Sequence, residues 1–259
     1  LGRLGSLITS ALIVFSPTLL YFSRFARNDI YMAVWTLCLV AFLWRYLDTG
    51  RNRYIYLSAL FLALLFATKE SSYIVSIILL SYLFILATPD IVDWVRNKRA
   101  LSKFSRSGTL FILYLSLSLP MWAAGSAIFQ GFFGGSLILA NNHAYAGPIG
   151  LPLGDGIPIA IGITTTLFGL SILIGIRWSW RVWLVSFAIY YTTVILLYTT
   201  FFTNLNGIPT GIWQSMGYWV AQQEIGRGGQ PWYYYFVIGS VYESVAFLFA
   251  TIAAIYYMR

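Results

Sequence analysis

YIYLSALFLALLFATKESSYIVSIILLSYLFILA, residues Tyr54–Ala87, carries its only charges at Lys69-Glu70, near its middle. As one helix it would run about 50 Å at about 1.5 Å per residue, against a hydrocarbon core of about 30 Å. It therefore reads as two short membrane spans, Tyr54–Thr68 and Ser72–Ala87, joined by a charged turn. The same reading carried outward finds apolar runs at Leu4–Phe22, Ile30–Trp44, Thr109–Phe129, Ile157–Ile176, Val182–Phe202 and Tyr234–Met258. The expectation is an all-α integral membrane protein with about eight transmembrane helices, forming a single transmembrane domain over residues 1–259.

Composition agrees. Hydrophobic residues make up 59% of the chain and charged residues 9%, with a mean hydropathy of +0.76, a balance that a water-soluble domain of this size would not keep in solution. Aromatic residues reach 19% and many lie near the ends of the runs, as Tyr21, Trp44 and Trp232 do, where amphipathic rings favour the headgroup region. Cys38 is the lone cysteine, so no internal disulfide and no cysteine-based metal site is available. The chain begins Leu-Gly-Arg-Leu-Gly, without an initiator methionine or a leader pattern, and reads as the middle of something longer.

The net charge of +8 is explained by topology and not by nucleic acid. Alternating the loops from a cytoplasmic N-terminus places Arg3, Arg45, Arg51, Arg53, Arg96, Lys98, Arg99, Lys103, Arg106, Arg177, Arg181 and Arg259 inside, 12 of the 16 basic residues. Both termini are then cytoplasmic in a multi-pass cell-membrane protein, and Pro89–Gly108 is a solvated inner loop whose cations attract anionic lipid.

Only Arg24, Arg27, Lys69 and Arg227 fall outside, each beside an acid or a glycine-rich turn. Ser23-Arg24-Phe25-Ala26-Arg27-Asn28-Asp29 places two arginines three apart, able to fork onto phosphate oxygens, with Asp29 as acid, base or ligand of a divalent cation; a salt bridge fixing the loop is the plainer reading. Lys69 and Glu70 sit between short spans, so their turn is expected below the membrane surface, either paired with each other or facing a wet cavity. The segment 203–233 is expected as an extracytoplasmic stretch with an interfacial helix, its apolar face formed by Ile212, Met216, Trp219 and Val220. Beyond it, Gln222, Gln223, Glu224, Gln230 and Trp232 suit a hydroxyl-rich ligand, while Arg227 lies in a glycine-rich turn that also serves simply as a turn. Glu243 stands inside the last apolar run, as a functional group or as a bond to a neighbouring helix. The single histidine, His143, has no nearby second ligand, and no metal site is assigned. The glycine-bearing outer loop Gln130–Gly156 around it fits a plain connector better than a lid.

Ser16-Pro17 followed by Tyr21-Phe22-Ser23-Arg24-Phe25-Ala26-Arg27-Asn28-Asp29, then Ala67-Thr68-Lys69-Glu70, resembles the lipid-linked-sugar glycosyltransferases of the protein-mannosyltransferase superfamily, with its GT-C fold. The run from Gln222-Gln223 through Arg227-Gly228 to Gln230-Pro231-Trp232-Tyr233-Tyr234-Tyr235, with Tyr242-Glu243 after it, is similar to a prokaryotic branch described as flippase-activity-associated. The resemblance implies a transferase moving a sugar from a polyprenyl-phosphate donor to an acceptor on the extracytoplasmic face, with a carboxylate as base. It also implies that the principal catalytic acid lies in a first outer loop, whereas this chain matches the pattern only from the third span onward, so no residue here takes that role. On that basis Asp29 supports and Glu70 joins the catalytic set, Arg24, Arg27, Lys69 and Arg227 hold the donor phosphate, and the amides, Glu224, Trp232 and Glu243 hold sugar or acceptor. Two other functions fit the same sequence: a non-catalytic accessory subunit among membrane-complex subunits, and a transporter or flippase component for lipid-linked sugars.

Overall fold

The computed structural model describes residues 2–24, 28–98, 100–133, 136–139, 148–222 and 229–257. Among these residues there is no strand. The chain divides into two compact units, Leu1–Tyr31 with Gly226–Arg259, and Met32–Ile225.

In the smaller unit, α1 (Gly2–Phe15) is followed by α2 (Pro17–Ser23), and α11 (Tyr234–Tyr242) by α12 (Ser244–Tyr257). Neither run is one straight rod. Ser16 is extended at φ −60° and ψ 120° and caps α2 through Leu19 N–H, because Pro17 suits a first helical position and not an interior one. The last run bends by 98° at Glu243. Glu243 Oε1 accepts from the Ser16 hydroxyl at 2.6 Å and from Thr18 N–H at 3.1 Å, so one carboxylate fills the N-terminus of α2.

The larger unit contains most of α3 (Asn28–Thr49), then α4 (Asn52–Thr68), α5 (Ser71–Asn97) and α6 (Arg106–Ser118). A 3₁₀ stretch, Leu119–Phe129, leads into the short α7 (Gln130–Phe133), and α8 runs Gly156–Tyr198. After it come α9 (Gly207–Pro209), a π-turn at Thr210–Gln214, and α10 (Ser215–Ala221). α4 is central: Ile55, Ala59, Leu62, Ala63 and Phe66 make a buried helical stripe that packs on α8. α3 buries only Met32, Leu39, Leu43 and Tyr46, one narrow stripe, and leaves Leu37 65% exposed on its other side. On α5, Ile78 and Ile85 are exposed in the same way, as suits contact with hydrocarbon.

Among the described residues, four helices are long and apolar enough to cross a membrane, five if the bent pair in the smaller unit is one span. One of the four, α8, has 43 residues and would measure about 65 Å if straight. It is not straight. Ser179 leaves helical geometry at φ −161° and ψ 93°, and the Phe168 and Tyr191 rings, 23 positions apart, lie 5.1 Å from each other. Residues 156–178 and 180–198 are therefore the arms of a hairpin. At its throat a Cβ on Gly175 would fall 2.2 Å from the Trp183 indole, so only glycine admits that ring. Both arms bond the same residue of α6: the Ser171 hydroxyl donates to Ser116 O at 2.5 Å, and Trp183 Nε1–H to Ser116 Oγ at 3.2 Å.

The expectation of an inner loop from Pro89 to Gly108 is corrected, because α5 continues through Pro89 to Asn97. Proline removes one backbone bond, but the Asp90 carboxylate, 5% exposed, accepts from both Ser105 N–H and the Ser105 hydroxyl. That tie anchors the extension to the start of α6. It also means that only α4, and not α5, is a short helix beside the Lys69-Glu70 turn.

Candidate functional site

Only Lys69 and Glu70 join α4 to α5. Lys69 is extended at φ −163°, and Glu70 is the N-cap residue of α5, with Tyr73 N–H donating to Glu70 O at 3.1 Å. This places the Glu70 carboxylate at the positive end of a helix. Glu70 lines a pocket of about 300 Å³ with Tyr198, Gly207, Thr210, Gly211, Gln214, Ser215 and Tyr218.

The far wall is the helical segment 207–221, and two glycines let it approach. A Cβ on Gly207 would lie 1.7 Å from Tyr198 O, and one on Gly211 would lie 2.0 Å from the Tyr198 ring. Small residues four apart allow this kind of close contact. The chain reaches the wall through three successive left-handed residues, Thr200, Phe201 and Phe202, at φ +49°, +55° and +67°. Each costs about 1–2 kcal/mol outside glycine, and backbone bonds from Phe201 N–H to Leu196 O at 2.7 Å and from Asn204 N–H to Thr199 O at 2.9 Å hold the turn. Strain of this kind persists where the surroundings dictate it.

Polar groups in the wall are fixed from behind. Gln214 Nε2–H donates to Ile149 O at 2.7 Å, leaving its carbonyl oxygen as an acceptor. The Ser215 hydroxyl donates to Gly211 O at 2.8 Å and lies 2.9 Å from the Tyr73 hydroxyl, which donates to Met121 O at 3.2 Å. The Tyr198 hydroxyl donates to Phe66 O at 2.9 Å. Nearby, Ser72, Ser76 and Tyr190 bury hydroxyl oxygens without a hydrogen-bond partner among the described residues. Such groups cost about 1–3 kcal/mol each, so this end holds more polarity than packing requires.

Tyr198 is also a wall of a second, wholly apolar crevice of about 280 Å³, formed with Phe168, Phe187, Tyr191, Val194, Ile195, Ile208 and Ile212. Ile208 and Ile212 continue into a third, about 300 Å³, with Leu151, Ile157, Ile161 and Trp213. The segment 207–221 thus lines a carboxylate pocket and two largely apolar crevices. Sequence reasoning found Glu70 but missed Tyr198, Gly207, Thr210, Gly211, Gln214, Ser215 and Tyr218. Gly207-Ile208-Pro209-Thr210-Gly211 was the available signal.

Of the face expected from Ile212, Met216, Trp219 and Val220, Met216 is buried, Ile212 and Val220 pack against the core, and Trp219 is 41% exposed. Trp213 is buried beside them. Ser215 N–H bonds Thr210 O, five residues back, so the segment opens with a π-turn. The connection between α7 and α8 is pinned where it is described, with Leu139 N–H donating to Leu151 O at 2.8 Å and Gly150, at φ +86°, pressed on the Tyr218 backbone.

The other sequence candidates stand as follows. Lys69 is half-buried beside Glu70. Gln222 ends α10. In the smaller unit Arg24 is exposed as the C-cap of α2, Gln230 is exposed, and Trp232 is 84% exposed against Tyr233 and Phe236. Asp29 lies in the first turn of α3 and makes electrostatic or hydrogen-bond contact there. Glu243 serves as the cap described above. Arg27, His143, Gln223, Glu224 and Arg227 lie outside the described residues. Among the described residues no group of three His, Cys, Asp or Glu side chains converges to hold a metal.

The class defined by fold and site is an all-helical protein with membrane-length apolar helices and a carboxylate pocket at one end of its larger unit. No protein-family model, curated protein or solved structure matches the chain.

Proposed function

We propose that the chain is the membrane body of a lipid-linked-sugar glycosyltransferase of the kind its motifs resemble. In this reading the protein crosses the membrane eight times, the two arms of α8 being separate spans, with the Glu70 end extracytoplasmic. The observation that carries it is that the Glu70 pocket and an apolar crevice share one residue, Tyr198. A polyprenyl-phosphate sugar has that same division, a polar head joined to a hydrocarbon tail. Glu70 then accepts the proton of an attacking hydroxyl, Gln214 and Ser215 orient hydroxyls, and Lys69 meets the donor phosphate.

The test is capture of a photoreactive polyprenyl-phosphate sugar by the protein in nanodiscs, followed by transfer of its labelled sugar in membranes. Crosslinks should map to Tyr198 and the 207–221 segment, and Glu70→Gln should retain capture but lose transfer. Crosslinks confined to other helices, or transfer undiminished in the Glu70 variant, would sink the reading.

A further inference from the structure

The opposite end of the larger unit holds a second cavity, of about 530 Å³, between the end of α5 and the first arm of α8. That volume lies within the roughly 300–1,000 Å³ typical of small-molecule sites. Leu101, Leu170 and Leu173 give it an aliphatic wall; Trp94, Lys98 and Arg177 complete its lining. Lys98 takes its place because it ends α5 in the left-handed conformation, at φ +50°, and turns the chain back toward α8. Arg177 stands two residues before the break at Ser179. Both cations are exposed, and neither has a side-chain hydrogen bond or ion pair with another described residue. No carboxylate lines the cavity.

We infer that this cleft binds one anionic glycerophospholipid, its phosphate between Lys98 and Arg177 and an acyl chain along Leu101, Leu170 and Leu173. The charge pattern selects the occupant. Two unpaired cations at the mouth of an aliphatic crevice complement a headgroup anion joined to hydrocarbon, and an indole beside them suits the headgroup level. A free phosphate would use the cations and leave the aliphatic wall without purpose. The inference rests on the chain being membrane-embedded and is independent of Glu70 and of sugar transfer.

The experiment is native mass spectrometry of the full chain released from nanodiscs containing equal phosphatidylglycerol and phosphatidylcholine, beside a melting curve of delipidated protein with inorganic phosphate. One phosphatidylglycerol should stay bound in preference to phosphatidylcholine, and phosphate alone should not raise the melting temperature. At about 5-fold per cation near an anionic headgroup, Lys98→Gln with Arg177→Gln should weaken retention by about 25-fold. Leu173→Trp, which fills the crevice and keeps both charges, should also expel the lipid, whereas Arg51→Gln, at the same end but outside the cleft, should not. Equal retention of the two lipids, full protection by phosphate, unchanged retention in either cleft variant, or equal loss in Arg51→Gln would each overturn the inference. Release of sugar transfer activity without change in lipid retention, or the reverse, keeps this result separate from the fate of the glycosyltransferase reading.

Discussion

The two ends of the larger unit treat polar groups in opposite ways. At one end nine described cations gather: Arg45, Arg51, Arg53, Arg96, Lys98, Lys103, Arg106, Arg177 and Arg181. Contacts join their loops there, since Arg106 donates to Leu47 O at 2.8 Å and to Asp48 O at 2.7 Å, and the Leu101–Lys103 turn packs on α8. At the other end Lys69 is the only described cation. Its polar groups, Glu70, Gln214 and Ser215, surround an interior space, and the segment behind them is set by glycine contacts and a strained turn. One end gathers cations around an aliphatic cleft, and the other presents a carboxylate, an amide and a hydroxyl to an open pocket, an asymmetry of charge of the kind that orients a chain in a bilayer.

That contrast breaks most readily at Glu70. If the chain is the glycosyltransferase proposed above, Glu70→Gln lowers sugar transfer by about 10²–10⁴-fold, the usual range for a general base, with the melting temperature unchanged. Transfer and thermal unfolding measured on the same preparation decide it, and a parallel fall in stability would make Glu70 a structural group.

Packing comes next. Gly211→Leu must displace the Tyr198 ring and should cost about 3 kcal/mol, at the upper end for overpacking, whereas Arg51→Gln at the cationic end should stay within about 0.5 kcal/mol. Equal effects in detergent unfolding would erase the distinction between the two ends. A smaller loss, about 1–2 kcal/mol, is expected for Ser105→Ala, which removes both the α6 cap and a partner of buried Asp90. A further small effect has the opposite sign: Thr200→Gly should stabilise the protein by about 1 kcal/mol, because glycine adopts positive φ far more readily than threonine. A loss of stability there would show that the left-handed turn is not strained.

The helices were legible because bilayer length and apolar composition are local properties; the described part of each apolar run is mostly helical, with breaks at Ser16 and Glu243 and a left-handed turn at Thr200–Phe202. Glu70 was legible for the same reason, as a carboxylate stranded between two such runs. Its partners were not. Tyr198, Gly207 and Gly211 acquire their roles only when distant backbone segments meet, and neither a tyrosine ending an apolar run nor a pair of glycines announces that meeting alone. In 207–221 the periodicity grouped Ile212, Met216 and Val220 correctly but could not say what covers them, and in the structure it is the core of the larger unit. Pro89 suggested a stop that one tertiary carboxylate overrides. Lys98 and Arg177, about eighty positions apart, read singly as orientation anchors, and only their convergence makes a cleft.

Ser116 gives the unit an order of assembly. Its hydroxyl and carbonyl are placed in α6 before either arm of α8 has been synthesised, and both Ser171 and Trp183 must find it. An arm entering hydrocarbon alone would carry an unmet hydroxyl or indole N–H, whereas two arms closed at Gly175 present both groups to one address. In the membrane topology proposed above, the hairpin would then be a unit of insertion as much as of packing, with Ser116 as the address at which its two arms meet.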